Sequence, residues 1–271
     1  MTGVPPYQYG VPMELGLEGR SVVVTGASKG IGLAIAKAFV AEGATVIAGA
    51  RHSSDALEAL VATGRARVVE VDLGTVDGPG RLVAAADGPV DVLVNNVGFA
   101  TPRVGGFLDV TDEQWQQSIT LNFFAAVRAT RAVLPGMIER GHGAIVNVSS
   151  VNAKLPDPLV IDYSAAKAGL ANFSKSLSKE VGQHGIRIVD VAPGPVHTDL
   201  WLGAGGVAQT VSAANGVAPD DVAAGAVAGT ATRRFTNPRE VADLVLFLAS
   251  DLAANITGTS VGIDGGLVQT L

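Results

Sequence analysis

The sequence has 271 residues, 48% of them hydrophobic and 16% charged, with a net charge of −6. This composition supports a large buried core, and the acidic balance, without a Lys or Arg cluster, argues against nucleic acid as a partner. Because the chain has no cysteine, a disulfide framework, a thiolate nucleophile and a Cys-based metal site are all excluded.

The N-terminal segment, residues 1–17, carries Pro5, Pro6 and Pro12 and is predicted to form an extended arm. It lacks the basic start and apolar run of a secretory signal, since the first basic residue is Arg20. No stretch approaches the roughly 18 apolar residues that a membrane span needs. We therefore expect a soluble, cytoplasmic protein without a membrane partner.

From Ser21 onward, short β-branched runs alternate with Ala-rich segments of helical period, which is typical of parallel strands joined by crossover helices. Thr111 and Gln114 resemble a capping box at the start of the third helix. The strands are predicted to begin near Ser21, Thr45, Arg67, Val90, Ala144, Ile186 and Ser260, and the helices to span about 31–42, 54–63, 112–139, 162–182 and 238–250.

No linker divides this alternation, so the sequence predicts one doubly wound α/β domain of the Rossmann type over residues 18–271. Its seven parallel strands would carry helices on both faces, because their continuous apolar character suits strands that are covered on both sides. The exception is the stretch 199–235, which is rich in Ala, Gly and Val and interrupts the pattern. Long excursions of this kind are often active-site lids.

The first chemical signal is the segment Thr25–Gly32, which reads TGASKGIG and lies between the first strand and the first helix. Glycines there let the backbone approach a pyrophosphate, and the free N–H groups of the helix N-terminus supply an anion site. A tight strand-to-helix turn without a ligand is the alternative. The later motifs favour the nucleotide site.

The cofactor preference depends on the end of the second strand, where dinucleotide-binding folds usually carry an acidic residue that binds the ribose hydroxyls. This chain has Arg51-His52 at that place. A guanidinium can bind a 2′-phosphate through charge-assisted bonds, and Lys29 adds a second positive charge nearby. Either cation alone is more often a surface residue, but together they favour NADP(H) over NAD(H).

Six further segments follow in order: Asp72-Leu73 after the third strand, Asn95-Asn96-Val97-Gly98 after the fourth, Asn122 in the long helix, Ser149-Ser150 after the fifth strand, Tyr163-Ser164-Ala165-Ala166-Lys167 in the next helix, and Pro193 to Thr198 after the sixth strand. With the glycine turn, they resemble the motifs of the short-chain dehydrogenase/reductase family along almost the whole chain. The similarity is greatest to its 3-oxoacyl-carrier-protein reductases.

This resemblance implies hydride transfer between NADP(H) and a small carbonyl or alcohol substrate. The implied catalytic residues are Asn122, Ser150, Tyr163 and Lys167; Ser150 is chosen over Ser149 because it lies thirteen residues before Tyr163, the spacing of the family. The implied cofactor-binding residues are Gly26, Ser28, Lys29, Gly30, Ile31, Gly32, Arg51, His52, Asp72, Leu73, Asn95, Gly98, Tyr163, Lys167, Val196 and Thr198. The chain departs from the family pattern at Val97 and at Val189-Asp190, where relatives commonly carry an Asn-containing pair.

The catalytic pair can be tested against physical requirements. Tyr163 and Lys167 are four residues apart, so on a helix they share one face. A tyrosine that transfers a proton near neutral pH needs a pKa lowered by roughly 3 units, which corresponds to about 4 kcal/mol. An ammonium about 4 Å away supplies roughly that energy at an effective dielectric of 20. We therefore expect Lys167 to lower the pKa of Tyr163. The resemblance also implies that Lys167 steadies the nicotinamide ribose and that Ser150 holds the substrate oxygen.

Other functional classes have less support in the sequence. A hydrolase is disfavoured because no Gly-x-Ser-x-Gly elbow surrounds Ser150. A metal site is not expected, because His52, His142, His184 and His197 lack ligand spacing. A catalytically silent NADP-binding regulatory protein stays as the alternative.

Substrate and assembly are less constrained by the sequence. Relatives of this kind often reduce 3-oxoacyl thioesters, whereas others act on secondary alcohols, steroids or sugars, and no residue decides among them. The resemblance also implies a homotetramer assembled through helices 112–139 and 162–182.

Overall fold

A computed structural model describes residues 14–270, and the sheet at its centre confirms the predicted fold class. All strand pairs are parallel, in the order β3-β2-β1-β4-β5-β6-β7. The strands are β1 (Ser21–Thr25), β2 (Thr45–Ala50), β3 (Ala66–Glu70), β4 (Val92–Asn95), β5 (Gly143–Val148), β6 (Ile186–Pro193) and β7 (Ser260–Ile263). The chain reverses its direction of winding between β1 and β4, which is where doubly wound folds place their ligand cleft.

Helices cover both faces of the sheet because alternate strand residues point to opposite sides. On one face, Val24 and Val146 pack with Phe39 in one core cluster; on the other, Val23 and Ile145 belong to a second cluster. The helices are α1 (Gly30–Ala41), α2 (Asp55–Val61), α3 (Gly78–Ala84), α4 (Asp112–Ile119), α5 (Ala125–Arg140), α6 (Ile161–Val181), α7 (Asp199–Leu202), α8 (Val207–Asn215), α9 (Pro219–Ala228) and α10 (Pro238–Ala249).

The predicted helix 112–139 is not continuous. It begins at the predicted capping box, in which Gln114 N donates to Thr111 Oγ1 and Thr111 N donates to Gln114 Oε1. After α4, the segment Thr120–Phe124 forms a π-helical turn before α5 starts. Such single π turns are frequent at functional sites. The prediction was therefore right about the start and wrong about the continuity.

Helix α3 was absent from the predicted elements. Its first residues are Gly78, Pro79 and Gly80, which give a weak helical signal. The helix forms because Leu82 is buried against Gly49 of β2, where any Cβ would overlap the leucine side chain. Tertiary packing overrides local propensity here.

The 199–235 segment contains the three helices α7, α8 and α9. None of the residues of α7 and α9 is buried, while α8 buries Val207 and Ala208. Just beyond the segment, Thr236 N donates to Pro195 O at 2.9 Å and His197 N donates to Thr236 O at 2.9 Å. The segment is thus fixed at its C-terminal end to the loop that follows β6.

Of the predicted N-terminal arm, residues 1–13 lie outside the described residues. Within the remainder, Leu17 is buried in the core cluster that contains α1 and α10. Across residues 14–270, none of the helices combines the length and the apolar character needed to cross a lipid bilayer.

Candidate active site

A cleft of about 1160 Å³ opens at the carboxyl ends of the strands. The residues that line it come mainly from the turns after β1 to β6, from the start of α6 and from the 199–235 segment. Almost all sequence-predicted site residues lie along this cleft, although they are spread over more than 170 positions of the chain. The parallel topology brings them together because every strand ends at the same edge.

The glycine turn has the close packing that its sequence predicts. Gly26 has φ of +69°, and a Cβ there would lie 2.9 Å from the Cα of Val97. A Cβ at Gly32 would overlap both the carbonyl oxygen of Gly26 and the side-chain amide of Asn96. The first turn of α1 can therefore approach the segment after β4 only because glycine occupies these two positions.

The N-terminus of α1 fits a bound pyrophosphate. Its cap residue Lys29 makes no side-chain cap bond, and the first turn contains no acidic residue. Ser54 Oγ donates to Ser28 O at 2.7 Å, which fixes the turn. Thr198 lies directly against this turn, with its Cγ2 3.4 Å from the place of a Cβ on Gly30. Free N–H groups at such an end favour an anion.

Residues at the far end of the cleft only partly match the predicted adenine and ribose site. Arg51 is exposed and lines the cleft together with Asp72 and Leu73, whereas the exposed His52 is not among the lining residues. Lys29 also lines the cleft, and its Nζ lies 4.0 Å from Asp199 Oδ2. Asp72 Oδ1 accepts the Gly74 N–H at 2.8 Å, so this carboxylate stabilises its own loop.

Asn95 departs from its predicted role as a cofactor ligand. Its side chain is buried in the sheet, where Nδ2 donates to Asn147 Oδ1 at 2.8 Å and to Thr130 Oγ1 at 3.2 Å, and it does not line the cleft. Asn96 lines the cleft instead, and its amide donates to Thr25 O and Gly26 O. The alternation of side chains along a strand explains the difference, because neighbouring residues face opposite sides.

Tyr163 and Ser150 meet on the wall of the cleft. Ser150 Oγ donates to Asn152 Oδ1 at 3.2 Å and accepts the Asn152 N–H at 3.1 Å. The neighbouring Ser149 is turned away, since its Oγ donates to Asp190 Oδ2 at 2.8 Å. This geometry supports the choice of Ser150 over Ser149 as the partner of Tyr163.

Lys167 is 3% exposed, and its Nζ donates to Val148 O at 2.8 Å. The same Nζ lies 5.7 Å from the centre of the Tyr163 ring. A Cβ at Gly98 would lie 3.3 Å from Lys167 Nζ and 2.7 Å from Asn122 Oδ1, so Gly98 leaves room for both. Asn122 itself is buried behind the cleft in the π turn, where its Oδ1 accepts the Phe99 N–H at 2.9 Å.

The pKa shift of Tyr163 differs from the expectation. Burial raises the pKa of Tyr163 above its ordinary value, and the Ser150 hydroxyl opposes this rise. Burial also lowers the pKa of Lys167 to about 8, and the Asp190 carboxylate opposes that change. The expected lowering of the Tyr163 pKa by Lys167 is therefore not seen among the protein groups alone. Further positive charge at the site, as on an oxidised nicotinamide, would lower it.

One ion pair beside the site was missed in the sequence. Arg103 Nη2 lies 2.5 Å from Asp162 Oδ2, and both side chains are nearly buried. Arg103 N also donates to Leu159 O at 2.6 Å, so the segment after β4 is tied to the first turn of α6, next to Tyr163. The two residues are 59 positions apart, and no local pattern links them.

Residues 20–204 match the family model of the short chain dehydrogenases. The chain belongs to this family. The 3-oxoacyl-[acyl-carrier-protein] reductase FabG of Escherichia coli is 36% identical over 257 residues, covering 93% of this chain and 99% of that protein. The FabG of Thermotoga maritima is 35% identical over 260 residues, with the same coverage.

Among solved structures, the L-sorbose reductase of Gluconobacter frateurii, in complex with NADPH and L-sorbose, superposes with a TM-score of 0.86. It is 34% identical, and the match covers 96% of this chain and 100% of that chain. The relatives therefore include enzymes named for an acyl thioester and for a sugar. They support an oxidoreductase of this family without fixing its substrate.

Proposed function

We propose that this protein is an NADP(H)-dependent oxidoreductase that interconverts a carbonyl and a secondary alcohol, with Tyr163 as the general acid or base. The observation that carries the proposal is the arrangement of Tyr163, Ser150 and Lys167 on the same cleft as the glycine turn. The NADPH-bound relative supports the choice of cofactor. So does Arg51, which presents an exposed guanidinium at the end of β2.

When bound, the nicotinamide cofactor supplies or accepts the hydride. The residues of the chain then transfer the proton and bind the substrate oxygen. In the reducing direction, Tyr163 donates its phenolic proton to the substrate oxygen, and the Ser150 hydroxyl holds that oxygen by a hydrogen bond. Lys167, fixed by Val148 O, has its Nζ 5.7 Å from the centre of the Tyr163 ring. Its charge, together with that of an oxidised nicotinamide, would favour the ionised tyrosine that remains. Asn122 keeps the loop after β4 in place through the bond from Phe99 N.

The substrate end of the cleft favours a neutral compound with an apolar body. Its lining includes Phe99, Leu121, Val151, Leu159 and Trp201. The cations that line the cleft are Lys29, Arg51 and Lys167, of which two belong to the proposed nucleotide site and the third to catalysis. A carboxylate or phosphate on the substrate would meet no further basic group among the lining residues. This favours an acyl or alkyl ketone, including a 3-oxoacyl thioester, over a charged sugar derivative.

The 199–235 segment is proposed to act as a lid over this substrate. Leu200 and Trp201 of α7 line the cleft, while α9 has no buried residue to anchor it. Segments with few buried contacts open at low free-energy cost, as a lid requires.

The experiment that tests the function is a turnover screen of the purified protein. NADPH and NADH would each be offered with 3-oxoacyl thioesters, simple ketones and ketoses. We expect NADPH oxidation with at least one neutral carbonyl compound and slower turnover with NADH. NADPH binding without turnover of any substrate would favour the silent regulatory protein instead.

The assembly is proposed to be a cytoplasmic homotetramer. On the described surface, Phe124 and Ile138, from the π turn and α5, are large apolar side chains that stay exposed in the single chain. Their burial against a second copy would remove apolar area from water. Light scattering at micromolar concentration should give four times the 27.4 kDa chain mass, and a monomer mass would contradict the proposal.

A further inference from the structure

A row of polar side chains crosses the otherwise apolar sheet at the level of the catalytic residues. Asn95, Asn147, Asp190 and Ser260 occupy paired positions on β4, β5, β6 and β7. Asn95 bonds Asn147, and Asn147 Nδ2 donates to Ser174 Oγ of α6 at 2.7 Å. Of the four, Asp190 is the ionisable member. Burying a charge in a core costs far more than burying an amide, so a carboxylate at this position calls for an explanation.

The hydrogen bonds of Asp190 do not by themselves require a charge. Its side chain is 1% exposed, and Oδ2 accepts from Ser149 Oγ at 2.8 Å and from Ser260 Oγ at 2.6 Å. An asparagine could accept the same two hydroxyl protons. The other oxygen, Oδ1, is buried and has no hydrogen-bond partner within residues 14–270. These hydrogen bonds therefore do not require the negative charge of the Asp190 carboxylate.

Lys167 provides the opposite charge. Its ammonium donates to the carbonyl of Val148, and the next residue, Ser149, donates its hydroxyl to Asp190. The cation and the anion are thus bound to consecutive residues at the end of β5. The charged or titratable groups that act on Asp190 are Lys167 of α6 and Lys154 of the loop after β5, while β7 contributes only the Ser260 hydroxyl. The charge of Asp190 acts in turn on Lys167, whose Nζ lies 5.7 Å from the centre of the Tyr163 ring.

We propose that Asp190 is a positioning residue of this active site: its buried carboxylate is the counter-charge of Lys167 and holds the end of β5 from which Ser150 faces Tyr163. The catalytic consequence rests on the function proposed above. The charge pairing of Asp190 with Lys167 does not, and it can be measured on its own.

The pKa shifts of Lys167 and Asp190 have the directions that this geometry predicts. Burial lowers the pKa of Lys167 to about 8, and the Asp190 carboxylate is what opposes a larger fall. Burial raises the pKa of Asp190, whereas the hydroxyls of Ser260 and Ser149 and then the charges of Lys167 and Lys154 lower it. A lysine is cationic below its pKa. Removal of the carboxylate would therefore make Lys167 neutral at a lower pH.

The test compares Asp190→Asn with Asp91→Asn, which removes an equal charge at the opposite end of the sheet, where Asp91 Oδ2 accepts the Ser21 N–H. The ε-carbons of the lysines would be labelled with ¹³C and titrated by NMR, with Lys167→Arg assigning the signal. We expect the wild-type Lys167 to titrate near pH 8. In Asp190→Asn the midpoint should fall by roughly one unit, the lower end of shifts caused by a nearby opposite charge. Asp91→Asn should leave it unchanged.

The kinetic counterpart is the pH profile of kcat/KM for carbonyl reduction. Its alkaline limb should move to lower pH in Asp190→Asn by the same amount, which a purely structural role would not produce. If Asp190→Asn fails to fold, Asp190→Ser takes its place. It removes the same charge with a smaller polar side chain, so the Lys167 midpoint should fall by a similar amount.

An unchanged Lys167 midpoint in folded Asp190→Asn, or in Asp190→Ser if that variant has to be used, would overturn the proposal. A wild-type protein that turns over no carbonyl compound would overturn the proposed function and leave the NMR result standing. The two failures are therefore distinguishable.

Discussion

The two walls of the cleft are built in different ways. On one side, the turns after β1, β4 and β5 pack so closely that a Cβ at Gly32 would overlap backbone atoms, and Asn122 and Lys167 are 1% and 3% exposed. On the other side, the 199–235 segment has two helices, α7 and α9, with no buried residue. The wall at the strand ends holds the catalytic side chains in fixed positions. The 199–235 segment can change its conformation or its sequence to suit the substrate. Changes to the strand-end wall should therefore affect turnover and cofactor binding, and changes to the 199–235 segment should affect substrate binding alone.

The largest effect is expected for Tyr163→Phe, which tests whether the strand-end wall carries the chemistry. The variant removes one hydroxyl and keeps the ring, so loss of general acid catalysis should lower kcat/KM by about 10²- to 10⁴-fold. NADPH affinity, measured by fluorescence titration, should barely change because Lys167 is untouched. A variant that kept more than about a tenth of the wild-type rate would disprove the assignment.

The next effect is expected for Gly32→Ala, which tests how rigid the glycine turn is. The added methyl would overlap the Gly26 carbonyl and the Asn96 amide. Because backbone has to move, the free energy of unfolding should fall by about 3 kcal/mol, the upper part of the usual range for overpacking. NADPH binding should weaken as well. Urea denaturation measures the first and fluorescence titration the second.

Gly80→Ala is the matched control, because it is the same substitution in a helix where a Cβ meets no atom within 4 Å. That change should stabilise the protein by roughly 0.5–1 kcal/mol. If Gly32→Ala and Gly80→Ala changed the free energy of unfolding equally, the backbone of the glycine turn would be able to move at little cost.

Arg51→Asp tests the cofactor end of the same wall. Lost charge-assisted bonds and new repulsion of a 2′-phosphate should weaken NADPH binding by about 2 kcal/mol, or roughly 30-fold, with much less effect on NADH. Lys37→Asp, at an exposed position of α1 outside the cleft lining, controls for net charge. If both variants weaken NADPH binding equally, Arg51 is a surface cation only.

The smallest effect is expected for Trp201→Ala, which tests the opposite wall. Trp201 lines the cleft and contacts Phe235 with ring centres 5.9 Å apart. Loss of the apolar surface that Trp201 offers to the substrate should cost about 1 kcal/mol, seen as a severalfold rise in KM with kcat nearly unchanged. Trp201→Phe should restore most of the affinity. A fall in kcat comparable to that of Tyr163→Phe would mean that the two walls do not differ as described.

The same contrast explains what the sequence could predict. The alternation of apolar strands and Ala-rich helices predicted the fold. The glycine turn and the Tyr163-to-Lys167 spacing each had a simpler alternative, and only their order with the other motifs indicated the cleft. Helix α3 could not be predicted, because its stability comes from Leu82 packing on Gly49. Asn95 and Asn96 were confused because one position along a strand decides which side faces the cleft.

Long-range pairs were beyond a single sequence. Arg103 and Asp162 form a nearly buried ion pair, yet neither lies in a pattern that points to the other. Asp190 was noticed only as a departure from the family pattern. Its contacts with Ser149, Ser260 and the charge of Lys167 depend on strand order, which places β5, β6 and β7 side by side.

The π turn at Thr120–Phe124 makes α4 and α5 two helices with separate registers. A π turn takes up one more residue than an α turn, so the extra residue is absorbed within the turn while α4 and α5 keep their places. Deleting Thr120 to regularise the helix should therefore leave α5 in place and remove the turn that holds Asn122 against Phe99. In alignments, a one-residue gap between residues 119 and 125 would mark relatives that lack this turn, and in protein engineering the two helices should be grafted or redesigned as independent units.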